Sequence, residues 1–184
     1  MENKGTQTIE TQRLILRRIT ADDAQTLFDD CFSHPEVTKY LRYPTHQTVQ
    51  DSLDIIGVWT KQYEKDDFYH WVIVLKDENR PMGTIGVVSH NKHDACAMIG
   101  YQLSERDWGN GYMTEALKAV LDYLLLDVGF NRVEGMYAVR NPRSGAVMRR
   151  AGMQYEGMMR EKFYCRAGYQ DANVYALLKS DLAR

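Results

Sequence analysis

The junction between residues 103 and 116 constrains the fold of this chain more than any other segment. Its sequence, LSERDWGNGYMTEA, lies between the apolar run ACAMIGYQL and a long run with apolar residues at helical spacing, so that a strand turns through Gly109 and Gly111 into a helix. Glycines have no Cβ atom, and they let N–H groups at a helix N-terminus converge on an anion such as phosphate or pyrophosphate. The alternative is that the two glycines only start the helix.

Two familiar phosphate-binding motifs do not fit this junction. The pattern GxxxxGK[ST] is absent, and a GxGxxG pattern would need a glycine or alanine where Thr114 stands. A nucleotide triphosphatase and a dinucleotide-binding enzyme are therefore disfavoured.

The rest of the chain predicts alternating groups of helices and strands. The spacing of apolar residues predicts helices from Ala21 to about Phe32, from Val49 to Glu64, from Gly111 to Val128 with Gly129 as its end, and from Arg143 to Arg150. Short runs rich in β-branched and aromatic residues predict strands at 14–16, 69–75, 82–90, 95–103, 132–139, 153–159 and 168–178. This order predicts a mixed α+β protein with helices on the faces of a sheet.

Length and composition narrow the class further. The 184 residues fit one domain, 1–184, in which residues 1–10 are the candidates for a flexible extension. A net charge of -2 gives no global basic field, so we expect no direct nucleic-acid binding and no attachment to an anionic membrane. Neither a signal segment nor a membrane span is predicted.

Cysteine and histidine usage suggests a compartment and argues against a metal site. The three cysteines are scattered without a CxxC pair, which favours reduced thiols and a cytoplasmic location; they are Cys31, Cys96 and Cys165. The five histidines show no HExxH or comparable ligand spacing, so no metal is predicted; they are His34, His46, His70, His90 and His93.

Several segments together resemble the GNAT superfamily of N-acetyltransferases. Arg106, Gly109 and Gly111 fit the R/Q-x-x-G-x-G/A pattern of its acyl-CoA pyrophosphate loop. From about residue 10 to 178 the chain also resembles the branch of this superfamily that acetylates N-terminal amines of ribosomal proteins. The matching segments occur in the expected order and are ETQRLILR followed by ITADDA, IGY, WGNGYMTEA, NRVE, N-x-x-S, MRRAGM and EG.

The resemblance implies a GNAT-like fold: a central, mostly antiparallel mixed sheet of six to seven strands with about four flanking helices. Two parallel strands splay apart in this fold, and the pantetheine arm of acetyl-CoA lies in the gap. The implied cofactor-binding residues are Leu103 through its main chain, Arg106 through its charge, Asn141 and Ser144 after the fifth main strand, and the N–H groups of Trp108, Gly109, Asn110, Gly111, Tyr112 and Met113. For Arg106 the alternative is a solvated loop arginine, and Leu103 also suits an apolar core position.

Ser144 is the implied acid of the reaction. Many superfamily members carry a tyrosine seven residues after the asparagine to protonate the leaving thiolate, but Met148 occupies that position here and has no proton to donate. The branch that the chain resembles uses a serine three residues after the asparagine, which is Ser144. The alternative is that Asn141 starts a turn and Ser144 caps a helix.

The implied reaction is direct attack of a neutral amine on the thioester through a tetrahedral oxyanion, without an acyl-enzyme. Ser144 lacks the GxSxG context of a covalent nucleophile, and inert buried thiols are the simpler interpretation of Cys96 and Cys165. A base must accept the ammonium proton. Glu134 is the candidate, with an ion pair to Arg132 as the alternative; Glu161 or ordered water are further options.

The resemblance therefore predicts an acetyl-CoA-dependent N-acetyltransferase, monomeric or homodimeric, that acts on a protein N-terminal α-amine. Two alternatives remain open: a small-molecule amine as acceptor (a polyamine, amino acid or antibiotic), and a non-catalytic acyl-CoA sensor. The aromatic connection from Tyr40 to His46, with Tyr69, His70 and Trp71, is expected to help wall the acceptor site, and core packing is the alternative.

Overall fold

The computed structural model describes residues 2–182 and contains one eight-stranded sheet. The strands lie in the order β1-β2-β3-β4-β5-β6-β8-β7, and β5 with β6 is the parallel pair. Their bounds are β1 Ile9–Glu10, β2 Leu14–Arg17, β3 His70–Leu75, β4 Arg80–Asn91, β5 Cys96–Leu103, β6 Arg132–Ala138, β7 Gln154–Cys165 and β8 Gly168–Leu178.

Five α-helices connect these strands, and two of them continue as π-helical turns. Their bounds are α1 Ala24–Leu27 with a 3₁₀ turn at Ala21–Asp23 and a π turn at Phe28–Phe32, α2 Pro35–Thr38, α3 Val49–Gln62, α4 Tyr112–Asp122 with a π continuation at Tyr123–Val128, and α5 Pro142–Arg150. Gly129 ends the long helix in the left-handed region with φ 87°, which confirms the predicted stop.

The predicted α+β class and the GNAT-like fold are confirmed, with two corrections to the element count. The sheet has eight strands instead of six to seven, because the two residues of β1 pair with β2. The structure has five helices instead of about four, because the short helix α2 begins at Pro35 in a segment of irregular pattern. Both missed elements are too short to show a period in the sequence.

The segment 1–10 is expected to be a flexible extension, but described residues within it make specific contacts. Thr6 is buried, and its hydroxyl donates to the Phe68 carbonyl while it accepts the His70 N–H. The Trp71 indole N–H donates to the Gln7 carbonyl at 2.7 Å. These contacts hold the segment along the end of β3.

The sheet separates two cores. On one face, α4 and α5 pack on residues of β3 to β6 and bury Leu117, Leu121 and Leu124 completely. On the other face, α1 and α3 cover β2 and β3 with Leu27, Phe32 and other apolar residues. We call these the α5 face and the α3 face.

The parallel strands β5 and β6 diverge halfway along their length. They pair from Cys96 with Arg132 to Ile99 with Gly135, and the residues beyond these pairs have no partner in the opposite strand. β5 stays paired with β4 to Leu103, and β6 stays paired with β8 to Ala138. The predicted splay is therefore present, and it opens toward the junction that leads into α4.

Candidate active site

The loop between β5 and α4 turns on two glycines in the left-handed region. Gly109 has φ +84° and Gly111 has φ +79°, a conformation in which side chains with a Cβ are strained. A Cβ added at Gly109 would meet no atom within 4 Å, so the backbone there borders open space. The two glycines are thus required by the turn and leave the main chain accessible.

Six consecutive main-chain N–H groups at this turn are available to a ligand. The N–H groups of residues 109 to 114 have no hydrogen-bond partner within the described range 2–182, and the first bond of α4 runs from the Glu115 N–H to the Gly111 carbonyl. Unpaired N–H groups and the positive end of a helix dipole together favour an anion. This set fits a pyrophosphate.

The free set differs by one residue at each end from the predicted set. The Trp108 N–H donates to the Glu105 carbonyl at 3.1 Å, because Glu105–Asp107 form a 3₁₀ turn that closes on it. The main-chain N–H of Trp108 is therefore not available to a ligand, whereas that of Thr114, which is not in the predicted set, is available.

An ion pair fixes the start of α4 from the outside. The Arg13 guanidinium donates to the Glu115 carboxylate at 2.7 Å and to the Asn110 carbonyl at 3.0 Å, and it lies 4.5 Å from the centre of the Tyr112 ring. Glu115 also accepts the Thr11 hydroxyl, and these hydrogen bonds lower its pKa against the opposing effect of burial. The carboxylate therefore remains charged beside the helix N-terminus.

The arginine of the predicted loop motif points to other partners. Arg106 lies 3.2 Å from Asp30 and 3.5 Å from Glu78 and is half exposed. The neighbouring Asp107 is buried and accepts two bonds from Arg80, whose pKa these bonds raise. These contacts anchor the 3₁₀ turn to α1 and β4, and an additional role of Arg106 in cofactor binding stays a prediction.

Leu103 presents its main chain to the gap between β5 and β6. The Ser104 N–H donates to the Met82 carbonyl of β4, so the alternation of an antiparallel pair directs the Leu103 main chain away from β4. The Leu103 carbonyl accepts the Trp108 indole N–H at 2.9 Å, and the Arg143 guanidinium lies 4.8 Å from the Trp108 ring centre. The side chain of Leu103 is buried in the core, so both expectations for this residue are compatible with its position.

Ser144 lies in the first turn of α5 and contacts a tyrosine of β5. The Tyr101 hydroxyl oxygen is 2.9 Å from Ser144 Oγ and 2.9 Å from the Ser144 carbonyl oxygen. Burial raises the pKa of Tyr101, so the phenol stays protonated. Tyr101 was not among the predicted site residues, although the IGY segment that contributes to the family resemblance contains it.

The other predicted residues of this region have structural partners. The Asn141 N–H donates to the Ala138 carbonyl at 2.6 Å, its carbonyl accepts the Ser144 N–H, and its side chain makes no capping bond. Met148 is buried against Gly135, where an added Cβ would lie 2.9 Å from the methionine methyl carbon. The position of the usual tyrosine is thus occupied by a core residue.

Glu134 lies on the α3 face of β6, whereas Ser144 lies on the α5 face. Gly135 faces Met148 of α5, so the alternation of a strand directs Glu134 to the opposite side. Arg132 donates to Glu134 at 2.7 Å and also binds Glu156, and these bonds raise its pKa. The ion pair with Arg132, given above as the alternative, is present.

A groove of about 440 Å³ lies beside Glu134 on the α3 face. Its lining residues come from β5 to β8 and are Met98, Arg132, Glu134, Met136, Glu156, Gly157, Met158, Met159, Lys162 and Val174. Glu161 is exposed and belongs to β7 beside this groove, where its N–H donates to the Asp171 carboxylate.

The aromatic residues expected to wall the acceptor site lie in two different places. Tyr69 and Trp71 are fully buried in the core of the α5 face, so core packing accounts for them. Tyr40 lies nearer the splay, and its hydroxyl donates to the Arg140 carbonyl at 3.2 Å.

The cysteines are unpaired, and burial raises the pKa of the Cys31 and Cys96 thiols, so neither is activated as a thiolate.

Among the described residues no group of three or more His, Cys, Asp or Glu side chains could hold a metal ion. Between residues 2 and 182 no helix is long and apolar enough to cross a membrane.

Comparison with known proteins agrees with this geometry. The family described as Acetyltransferase (GNAT) domain matches residues 13–154. The uncharacterized N-acetyltransferase YoaA of Bacillus subtilis (strain 168) is 31% identical over 171 residues, which are 93% of this chain and 96% of that protein. The [ribosomal protein uS5]-alanine N-acetyltransferase of Escherichia coli (strain K12) is 24% identical over 178 residues, 94% of this chain and 91% of its own length.

A solved structure shares the fold. The ribosomal L7/L12 α-N-protein acetyltransferase RimL, in complex with coenzyme A, superimposes with a TM-score of 0.83 at 22% identity and covers 94% of this chain and 98% of its own. The chain is therefore an N-acetyltransferase of the GNAT family.

Proposed function

We propose that this enzyme transfers the acetyl group of acetyl-CoA directly to a protein N-terminal α-amine, and that its active site is the splay between β5 and β6. The observation that carries the proposal is the row of six free N–H groups at the start of α4, directly beside the splayed ends of the two strands. Relatives named for acetylation of ribosomal-protein alanine and serine residues support the choice of acceptor.

The main chain of the loop fits the pyrophosphate of CoA. The N–H groups of residues 109 to 114 would bind the phosphate oxygens, and the open space over Gly109 leaves room for them. The outward main chain of Tyr101 and Leu103 would bind the pantetheine arm in the gap. Bound acetyl-CoA supplies the acetyl group as an activated thioester.

The Ser144 hydroxyl hydrogen-bonds the leaving sulfur and relays to it a proton that solvent replaces, so the serine hydroxyl is restored, and Tyr101 positions this hydroxyl. The single phenol proton can go to the Ser144 carbonyl or to Ser144 Oγ, since both lie 2.9 Å away. When it goes to the carbonyl, the Ser144 hydroxyl donates back to Tyr101; when it goes to Oγ, the serine proton is free for the sulfur. Tyr101 thus controls where the serine proton points.

Glu134 is the proposed acceptor of the amine proton. It lies on the face of β6 opposite Ser144 and one residue before the end of β5–β6 pairing, so the base and the acid stand on the two sides of the gap. Its Oε1 atom accepts from Arg132 at 2.7 Å, and the carboxylate lies beside the Cys96 thiol, whose pKa burial and this carboxylate raise. A partly exposed carboxylate can accept a proton directly or through water.

The test is acetyl-CoA turnover with a panel of amines: peptides with free N-termini, polyamines, amino acids and aminoglycosides. We expect turnover with the free N-terminal peptides and none with the same peptides blocked by formylation. A preference for polyamines, amino acids or aminoglycosides over every peptide would reject the proposed acceptor. CoA binding without turnover of any amine would favour the acyl-CoA sensor.

A further inference from the structure

The groove on the α3 face begins where the parallel strands separate. Met98 and Glu134 are partners one step before the last pair of β5 and β6, and Met136 is the next groove residue along β6. The groove then crosses β8 and reaches β7. A molecule in this groove would therefore have one end at the gap and the other at the sheet edge.

Methionines are most of the apolar residues that line the groove. Four of the ten lining residues are methionines, Met98 and Met136 on the floor and Met158 and Met159 on β7. The last two are adjacent residues of the edge strand β7 and are 49% and 45% exposed, so they leave apolar surface open to a ligand beside the groove. Gly157 also lines the groove, and a Cβ added there would meet no atom within 4 Å.

Methionine suits a surface that must fit apolar groups of varied shape. Its side chain is unbranched, flexible and polarisable, so several such residues can repack around a substituent with little strain. A groove of about 440 Å³ is in the range of small-ligand sites and is larger than the methyl of alanine or the hydroxymethyl of serine requires.

The polar end of the groove suits an amine. Glu134 contributes a carboxylate that accepts from Arg132 through Oε1 and lies beside the Cys96 thiol, whereas both oxygens of Glu156 bind Arg132. An ammonium group at Glu134 would be held at the start of the gap while the rest of the molecule extends over the methionines. The apolar wall and the carboxylate thus define the two ends of one acceptor.

We infer that the preferred acceptor is a primary amine attached to a long, flexible apolar substituent, such as the N-terminus of a peptide that begins with methionine or leucine. This inference rests on the proposed function and adds a substrate class to it. It also separates this enzyme from relatives named for alanine or serine acceptors.

The experiment compares kcat/KM for tetrapeptides that differ only in the first residue: methionine, leucine, alanine, serine or glutamate. Because one methylene group in an apolar pocket changes kcat/KM by about 10- to 200-fold, we expect methionine and leucine to exceed alanine and serine by at least about tenfold. Glutamate, with a charged end over apolar side chains, should be the poorest.

Two variants locate the effect. Met158→Gln combined with Met159→Gln keeps side-chain length but makes the β7 wall polar, and should reduce the methionine-to-alanine ratio to about one without a change in CoA affinity. Leu126→Gln is the matched control, since Leu126 is similarly exposed but lies in the π continuation of α4. Its ratio should equal that of the unmodified enzyme, and melting temperatures verify that both proteins fold.

The outcomes separate the inference from the proposed function. If the enzyme prefers peptides that begin with alanine or serine, or if the methionine-to-alanine ratio is unchanged in the double variant, the methionine-groove inference is overturned. The proposal of N-terminal acetylation is then unaffected. Absence of turnover with every peptide overturns both. A high ratio in the unmodified and control enzymes that disappears in the double variant supports both.

Discussion

At the scale of single residues, two hydroxyl groups are in contact at the start of α5, while a buried methionine occupies the position of the usual tyrosine. Met148 packs against Gly135 and contributes no proton, whereas Ser144 and Tyr101 face each other across the splay. A serine in the first turn of α5 has a short side chain with one rotatable proton. The contact with Tyr101 restricts that proton to two directions.

Replacing Ser144 should slow the reaction without weakening CoA binding. We expect Ser144→Ala to lower kcat by about tenfold to a hundredfold, because general-acid assistance contributes about 10²–10⁴-fold and a thiol is already a good leaving group. Initial rates and calorimetric titration with CoA on one preparation measure both quantities.

The alternative role of Ser144 as a helix cap makes the opposite prediction. A lost cap would reduce the stability of the protein by about 1 kcal/mol and leave kcat unchanged at a permissive temperature. In the structure Ser144 Oγ bonds Tyr101 instead of a backbone N–H of α5, so we expect the melting temperature to change little. An unchanged kcat with a lowered melting temperature would show that Ser144 is structural.

Removal of the Tyr101 hydroxyl tests the positioning role. Tyr101→Phe should lower kcat by about tenfold with little effect on CoA affinity, because the Ser144 proton then has no fixed direction. The effect should largely vanish in a Ser144→Ala background, since the two groups act as one unit. If the double variant loses kcat by the product of the two single-variant factors, Tyr101 does not act through Ser144.

We expect His70 to make the free energy of unfolding pH-dependent. Its ring packs 4.2 Å from Trp59, its Nε2 atom has no partner among residues 2–182, and burial lowers its pKa to about 4. Between pH 6.5 and about 4 the unfolded chain therefore binds a proton that the folded protein does not. The free energy of unfolding should fall by about 1–3 kcal/mol on acidification through this window.

Denaturant unfolding at several pH values checks this contribution. His70→Gln should flatten the dependence between pH 6.5 and 4, whereas His93→Gln, at an exposed position, should leave it unchanged. Equal slopes in all three proteins would mean that His70 does not remain neutral in the fold.

At the scale of elements, the β5–α4 junction combines a conformational requirement with a binding surface. Gly109 and Gly152 have similar left-handed φ values, +84° and +95°, and an added Cβ meets no atom within 4 Å at either. Alanine should therefore cause similar backbone strain at both positions, while only Gly109 borders the free N–H groups. Comparing alanine variants at Gly109 and Gly152 therefore distinguishes a loss of CoA affinity from a loss of protein stability.

We expect Gly109→Ala to weaken CoA affinity by about tenfold or more, because the new methyl group and the shifted main chain meet the phosphate oxygens. Gly152→Ala should lose a similar amount of stability and keep the CoA affinity of the unmodified enzyme. Calorimetric titration measures the affinities. Equal affinity in both variants would remove the loop from the binding site.

The sequence predicts most elements correctly because their patterns are long. The meander β3 to β5, the helix α4 and its stop at Gly129 are confirmed, since each has several turns or alternations. The pairing of Arg106 with Asp30 and Glu78 could not be predicted, because it depends on residues distant in the chain. The contact of Tyr101 with Ser144 could not be predicted for the same reason.

At the scale of the whole molecule, the proposed mechanism places the two proton transfers on opposite faces of the sheet. The splay leaves a passage through the sheet, with α5 and Ser144 on one side and Glu134 with the methionine groove on the other. An amine on the α3 face can attack a thioester held in the gap while the sulfur leaves toward the α5 face. No step of this arrangement requires the acetyl group to reside on the protein.

The most direct test of this account is the initial-rate pattern when acetyl-CoA and a peptide amine are varied together. Direct transfer in one complex predicts lines that intersect in a double-reciprocal plot, and protein incubated with acetyl-CoA alone should keep its mass. Parallel lines, accompanied by one added acetyl group on Ser144 or a cysteine that is lost when the amine is supplied, would contradict direct transfer.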